Sequence, residues 1–102
     1  MSESSATVRV GNRFGLHARP AAEFVKLASS FAATILVEKD GLEVNGKSIM
    51  GVMMLAAECG STLTIRAEGE DSSQAVAALC ELVRRDFGEQ ETDYENVAGE
   101  ES

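Results

Sequence analysis

The stretch TLTIRAEG, residues 62 to 69, alternates apolar and polar side chains. In an extended chain that spacing puts Leu63, Ile65 and Ala67 on one face and Thr64, Arg66 and Glu68 on the other, which describes a half-buried β-strand. Strands with one polar face belong to an antiparallel sheet covered on a single side. Upstream, ATILVEKDGLEVN (33 to 45) predicts two further strands around Asp40-Gly41, a common hairpin turn pair, with Gly46 ending the second. TVRV (7 to 10) adds a fourth, with Val8 and Val10 on one face.

Between these strands the period changes to that of a helix. From Pro20, the residues Ala21, Phe24, Val25, Ala28 and Phe31 recur along one stripe. KSIMGVMMLAAE (47 to 58) predicts a short helix with Ser48 as N-cap and Gly51 weakening its middle. SSQAVAALCELVRRDF (72 to 87) carries Val76, Leu79, Leu82 and Val83 on one face and Arg84 and Arg85 in its last turn, where cations suit the helix dipole. The order β-α-β-β-α-β-α then predicts an α+β, two-layer open-faced sandwich, a four-stranded antiparallel sheet with three helices on one face.

The chain has 102 residues and a net charge of −8, with 44% hydrophobic and 25% charged residues, ordinary values for one globular domain. Its charge is lopsided: six acids after Gly88 face no base, and removing them leaves nine bases against eleven acids. Residues 1 to 88 are therefore read as one folded domain, and the polar, aperiodic, acidic residues 89 to 102 as a disordered tail. Neither part has the basic excess that nucleic acid requires. No apolar run approaches the roughly 20 residues of a membrane span, and MSESSATVRV lacks a signal pattern, so a cytoplasmic protein is expected. Cys59 and Cys80 lack metal-ligand spacing and are expected to be buried, reduced thiols; with a single histidine no metal site or cofactor is expected.

That histidine, His17, and the only proline, Pro20, lie in GLHARPAAEF, residues 15 to 24, with Arg19 between them. Pro20 is tolerated in a first helical turn because its missing N–H would have no partner there. A side chain at this boundary sits beside unpaired backbone N–H groups and the positive end of the helix dipole, which together attract an anion. Arg19 adds a fork of donors suited to phosphate oxygens. Imidazole is a competent nucleophile near neutral pH. The cluster suits a histidine that accepts and gives up a phosphoryl group; a helix cap or a plain surface residue is the competing reading. No GxSxG elbow, HExxH helix or P-loop is present.

With NRFGLHARPAAEFV, KSIMGVMMLAA and GSTLTIRAEGED in this order, the sequence resembles the HPr family, the histidine-containing phosphocarrier proteins of the bacterial phosphotransferase system. The resemblance covers roughly residues 6 to 88. It implies that His17 takes phosphate on Nδ1 from phosphorylated enzyme I and passes it to an enzyme IIA-type domain, that Arg19 steadies the phosphoryl group, and that Pro20 fixes the helix start. It also implies a second site at Ser48, which a dedicated ATP-dependent serine kinase phosphorylates in a subset of bacteria, with a transcriptional regulator or regulated enzyme as reader. Where other members often carry a small polar residue that could bond to phosphohistidine, this chain has Phe14, and the acidic tail is extra.

The residues also predict a docking face. The helix at 47 to 58 is apolar nearly all round, so one core-facing stripe cannot hide all of Ile49, Met50, Val52, Met53, Met54 and Leu55. Val52 and Leu55 are assigned to the inside. Ile49, Met50 and Met53, with Lys47, Leu16 and Ala18, form the expected partner surface, methionine being adaptable to several partners. Lys47 is expected to be solvated, with contact to a phosphate on Ser48 as the alternative. A monomeric carrier that turns over no small molecule is the leading reading. A regulatory binding protein controlled at Ser48 is the alternative, and a small ligand-binding domain is disfavoured by the His, Arg and Pro cluster.

Overall fold

The computed structural model describes residues 2 to 88. The acidic tail expected to be disordered, 89 to 102, lies outside the described residues. Four strands, β1 (Glu3–Arg9), β2 (Thr34–Lys39), β3 (Leu42–Asn45) and β4 (Thr62–Glu68), form one antiparallel sheet in the order β1-β4-β2-β3. Helices α1 (Ala18–Ser29), α2 (Ile49–Met54) and α3 (Ser72–Arg84) lie on one face, so the element order is the predicted one. The alternation in TLTIRAEG is realised: Leu63, Ile65 and Ala67 are fully buried, while Thr64 and Arg66 are half-buried on the open face. Register extends this inner layer, since Val8 pairs with Leu63, Val37 with Ile65 and Ile35 with Ala67. Emptying one such position, for example Ile65→Ala, costs about 2–5 kcal/mol through lost transfer energy and a residual cavity.

The Asp40-Gly41 turn has φ of 51° and 87°, positive at both central positions as a tight hairpin turn requires. The Gly41 N–H is taken by the Glu38 carboxylate at 2.7 Å. Asp71 closes the other end of the sandwich. Its two carboxylate oxygens accept from Ala32 and Ala33 N–H at 2.9 Å or less, tying the α1–β2 loop to the start of α3.

Several details depart from the sequence reading. β1 begins at Glu3, four residues earlier than Thr7, because the small Ser4 and Ala6 fit against the inner layer and the chain continues to pair with β4. α1 starts at Ala18, with Pro20 third in the helix and buried. Val25 and Phe31 only flank the core, leaving Ala21, Phe24 and Ala28 as the buried stripe. α2 ends at Met54, and Ala56 at φ 49° prevents continuation. After Arg84 the chain turns through Asp86 and Phe87, both at positive φ, and buries the Phe87 ring. Cys80 is buried as expected, but Cys59 is exposed, because it stands in the turn between α2 and β4 and not on a core-facing element. Among the described residues no helix is long and apolar enough to cross a membrane, and no cluster of metal-ligating side chains occurs.

α1 and α2 run in opposite directions side by side. Leu16, next to the start of α1, donates its N–H to the Ala57 carbonyl just past α2 (2.8 Å). At the other end, the Lys47 ammonium donates to the Phe31 carbonyl just past α1 (2.8 Å). Ser48 and His17 therefore lie at opposite ends of this helix pair, separated along α2 by a rise of about 9 Å.

Candidate functional site

His17 stands at the end of a loop pinned on both sides. Before the loop, Val10 exchanges hydrogen bonds with Ser61 (2.8 Å) and Gly60 (2.7 Å). Within it, the buried Asn12 amide donates to the Gly15 carbonyl (2.7 Å), and the Gly15 N–H returns to Asn12 O (3.2 Å). Gly15 has φ of 67°, and a Cβ there would run into the Ala57 carbonyl oxygen and come within 2.9 Å of Glu58 Cα. Only glycine lets the loop lie this close to the segment after α2.

His17 is the N-cap residue of α1, with extended backbone, and its carbonyl accepts the first helical bond from Ala21 N–H (3.0 Å). Its own N–H is taken by Gly15 O (3.0 Å). The imidazole makes no capping hydrogen bond to the helix. The helix-cap reading of this histidine therefore fails. Pro20 has no N–H, and the start of α1 brings the positive end of the helix dipole beside the half-buried imidazole. Arg19 is exposed in the first turn. Phe14 meets the imidazole edge to face, ring centroids 6.5 Å apart at 82°, and the Arg13 guanidinium lies 5.2 Å from the Phe14 centroid. Sequence reasoning treated Phe14 only as a departure; its place in a loop of tight turns gave no sign of a ring contact with His17.

The expected partner residues divide. Ala18 is exposed beside His17, and Ile49, Met50 and Met53 are exposed on α2, with Met50 at 77%. Leu16 is a correction: it is 5% exposed and belongs to the core, because the Gly15 turn and the bond to Ala57 direct it inward. Lys47 is another, being half-buried on the Phe31 carbonyl rather than solvated. Val52 and Leu55 are inside, as assigned. Met54, exposed at 67%, was missed although it sits one turn after Met50 and so on the same face. Ser48 is the N-cap of α2, its hydroxyl accepting from Gly51 N–H at 3.0 Å.

A family model described as the PTS HPr component phosphorylation site matches residues 4–85. The phosphocarrier protein HPr of Treponema pallidum (strain Nichols) is 50% identical over 84 residues, covering 82% of this chain and 96% of the relative. The crystal structure of HPr-C-His from Thermoanaerobacter tengcongensis superposes with a TM-score of 0.82 at 47% identity, covering 85% of this chain and 98% of that one. Crh, a Bacillus subtilis catabolite repression protein solved as a domain-swapped dimer, matches with a TM-score of 0.67 at 46% identity, covering 76% and 90%.

Proposed function

Because the chain belongs to the HPr family of phosphocarrier proteins of the phosphotransferase system, and so is no enzyme with small-molecule turnover, we propose that His17 is its phosphoryl acceptor. The observation that carries this reading is the imidazole at the start of α1: His17 stands in the N-cap position, yet its side chain does not cap the helix. The Nδ1 lone pair attacks the phosphorus of phosphorylated enzyme I, and the bond to the donor's nitrogen breaks with its electron pair. The reverse exchange then moves the group to an enzyme IIA-type domain. Arg19 and the first N–H groups of α1 hold the equatorial oxygens, and Pro20 fixes the turn that presents them. Ile49, Met50, Met53, Met54 and Ala18 form the docking face between the two helix starts, with Lys47 bracing its far end.

Regulation at Ser48 is a second reading, favoured by the likeness to a catabolite repression protein. The hydroxyl lies at the end of α2 away from His17, so a phosphate there acts on docking: its charge must lose water when an apolar partner covers Ile49 and Met50. One relative, Crh of Bacillus subtilis, is a dimer; for this chain the proposed carrier is a monomer. Intact-mass measurement after incubation with enzyme I and phosphoenolpyruvate tests the proposal. One acid-labile phosphoryl group is expected; no mass gain, or an acid-stable one, contradicts it.

A further inference from the structure

The loop before α1 brings a phenyl ring to His17. Residues 12 to 15 form a tight turn with Arg13 and Phe14 at its centre, closed by the Gly15 N–H on the Asn12 carbonyl (3.2 Å) and by the Asn12 amide on the Gly15 carbonyl (2.7 Å). The turn is fixed to the body on both sides, by the Val10 bonds to Ser61 and Gly60 and by the Leu16 N–H on the Ala57 carbonyl. Phe14 therefore has a firm mount, although its ring is 51% exposed and stands outside the core. The turn places this ring, and burial does not.

The centroid of the ring is 6.5 Å from that of the imidazole, with the two planes at 82°, a spacing and angle at which aromatic pairs attract. The Arg13 guanidinium carbon sits 5.2 Å from the centroid of the same phenyl ring, within cation–π range, so the ring is steadied from a second direction. Orientation matters for what an imidazole does. The lone pair of a ring nitrogen lies in the ring plane, so forming a nitrogen–phosphorus bond while the donor's own nitrogen–phosphorus bond breaks needs that plane turned toward the phosphorus. A histidine side chain has three staggered χ1 wells and two broad χ2 orientations, about six arrangements in all. A neighbouring ring at 82° favours those that keep the contact over the rest.

We propose that Phe14 is a positioning residue for phosphoryl exchange, its ring holding the His17 imidazole in the orientation from which the nitrogen attacks. Only the effect on rate rests on His17 being the acceptor. A residue that orients the nucleophile acts on the step within the complex, whereas one that docks the partner acts on affinity. Phe14 is of the first kind and Met50 and Met53 of the second. Loss of the Phe14 ring can lower the rate by at most about sixfold, the number of imidazole arrangements among which it selects.

The test uses the full-length chain with Phe14→Leu and Phe14→Tyr. In the unphosphorylated protein, NMR should show through-space cross-peaks between the Phe14 and His17 rings, and three-bond couplings at His17 dominated by one χ1 rotamer. Phe14→Leu should average those couplings while its melting curve stays close to the parent's, the ring being outside the core. Phe14→Tyr should keep the couplings. With phosphorylated enzyme I, Phe14→Leu should lose about twofold to sixfold in kcat with KM unchanged, and Phe14→Tyr should recover the loss. Missing cross-peaks, or His17 couplings that Phe14→Leu leaves as they are, overturn the positioning. An unchanged kcat overturns it too, and a rise in KM alone moves Phe14 to the docking face and overturns it as well. The ring signals involve no phosphoryl transfer, so failure of His17 as acceptor would show in the parent protein and would not be mistaken for failure of the contact.

Discussion

The starts of α1 and α2 solve the same problem in opposite ways. Each helix must satisfy its first N–H groups and fix the entry of the chain. At α2 the Ser48 side chain does the work, its hydroxyl accepting from Gly51 N–H. At α1 the loop backbone fixes the entry, through the Gly15 turn and the bonds to Ala57 and Ala21, while the imidazole of the N-cap residue caps nothing. A serine whose hydroxyl caps a helix has a structural reason to be there. The histidine in the same position at α1 does not cap, and its ring packs against Phe14 instead.

His17→Ala should break the comparison most sharply. Phosphoryl acceptance from enzyme I should drop to background, while urea denaturation shows a stability within about 0.5 kcal/mol of the parent, since no core contact or cap is lost. Gly15→Ala should do the reverse. Its Cβ collides with the Ala57 carbonyl at a backbone angle that alanine resists, so about 2 kcal/mol or more of stability should go, and acceptance with it. A fully stable Gly15→Ala would mean that the loop is not pinned as described.

On α2 the contrast is between faces. Val52→Ala, at a fully buried site, should cost about 2 kcal/mol, whereas Met53→Glu should leave the melting curve nearly unchanged and weaken binding to enzyme I. A sharp loss of stability in Met53→Glu would return that residue to the core. Ser48→Ala should cost about 1 kcal/mol as a lost cap, and Ser48→Asp close to nothing, because aspartate caps as well as serine. Ser48→Asp should nonetheless accept phosphate more slowly at limiting enzyme I; an unchanged rate would leave Ser48 as a cap alone.

The smallest effect concerns the two thiols. Burial pushes the Cys80 thiol above its ordinary value, and the smaller, opposing pull comes from the Arg84 charge. The folded state thus favours the neutral thiol, so this group's contribution is intact below the unfolded thiol pKa and is lost as pH rises above it. A thiol reagent at neutral pH should label the exposed Cys59 at once and Cys80 only on unfolding. Equal labelling rates would contradict the buried position of Cys80.

The sequence made the inner layer readable because each strand's alternation is local: Leu63, Ile65 and Ala67 face inward wherever their strand sits. Strand order was not readable, since the pairing of β1 with β4 depends on contacts some sixty residues apart. His17, Arg19 and Pro20 stood out by residue type and spacing. Leu16 was misplaced for the same reason, since nearness to His17 in sequence says nothing of the turn at Gly15 that sends it inward. Lys47 was misread because its ammonium meets a carbonyl sixteen residues away, at the end of another helix.

The most direct test of the account is the position of the phosphoryl group on a chain with a single histidine. Phosphorus and nitrogen NMR of the uniformly nitrogen-15-labelled protein, after treatment with enzyme I and phosphoenolpyruvate, reads it from the coupling between phosphorus and a ring nitrogen. The account predicts one phosphorus signal coupled to Nδ1 of His17, absent in His17→Ala. A phosphorus signal without coupling to nitrogen, as a phosphate on Ser48 would give, or no signal at all, would contradict it.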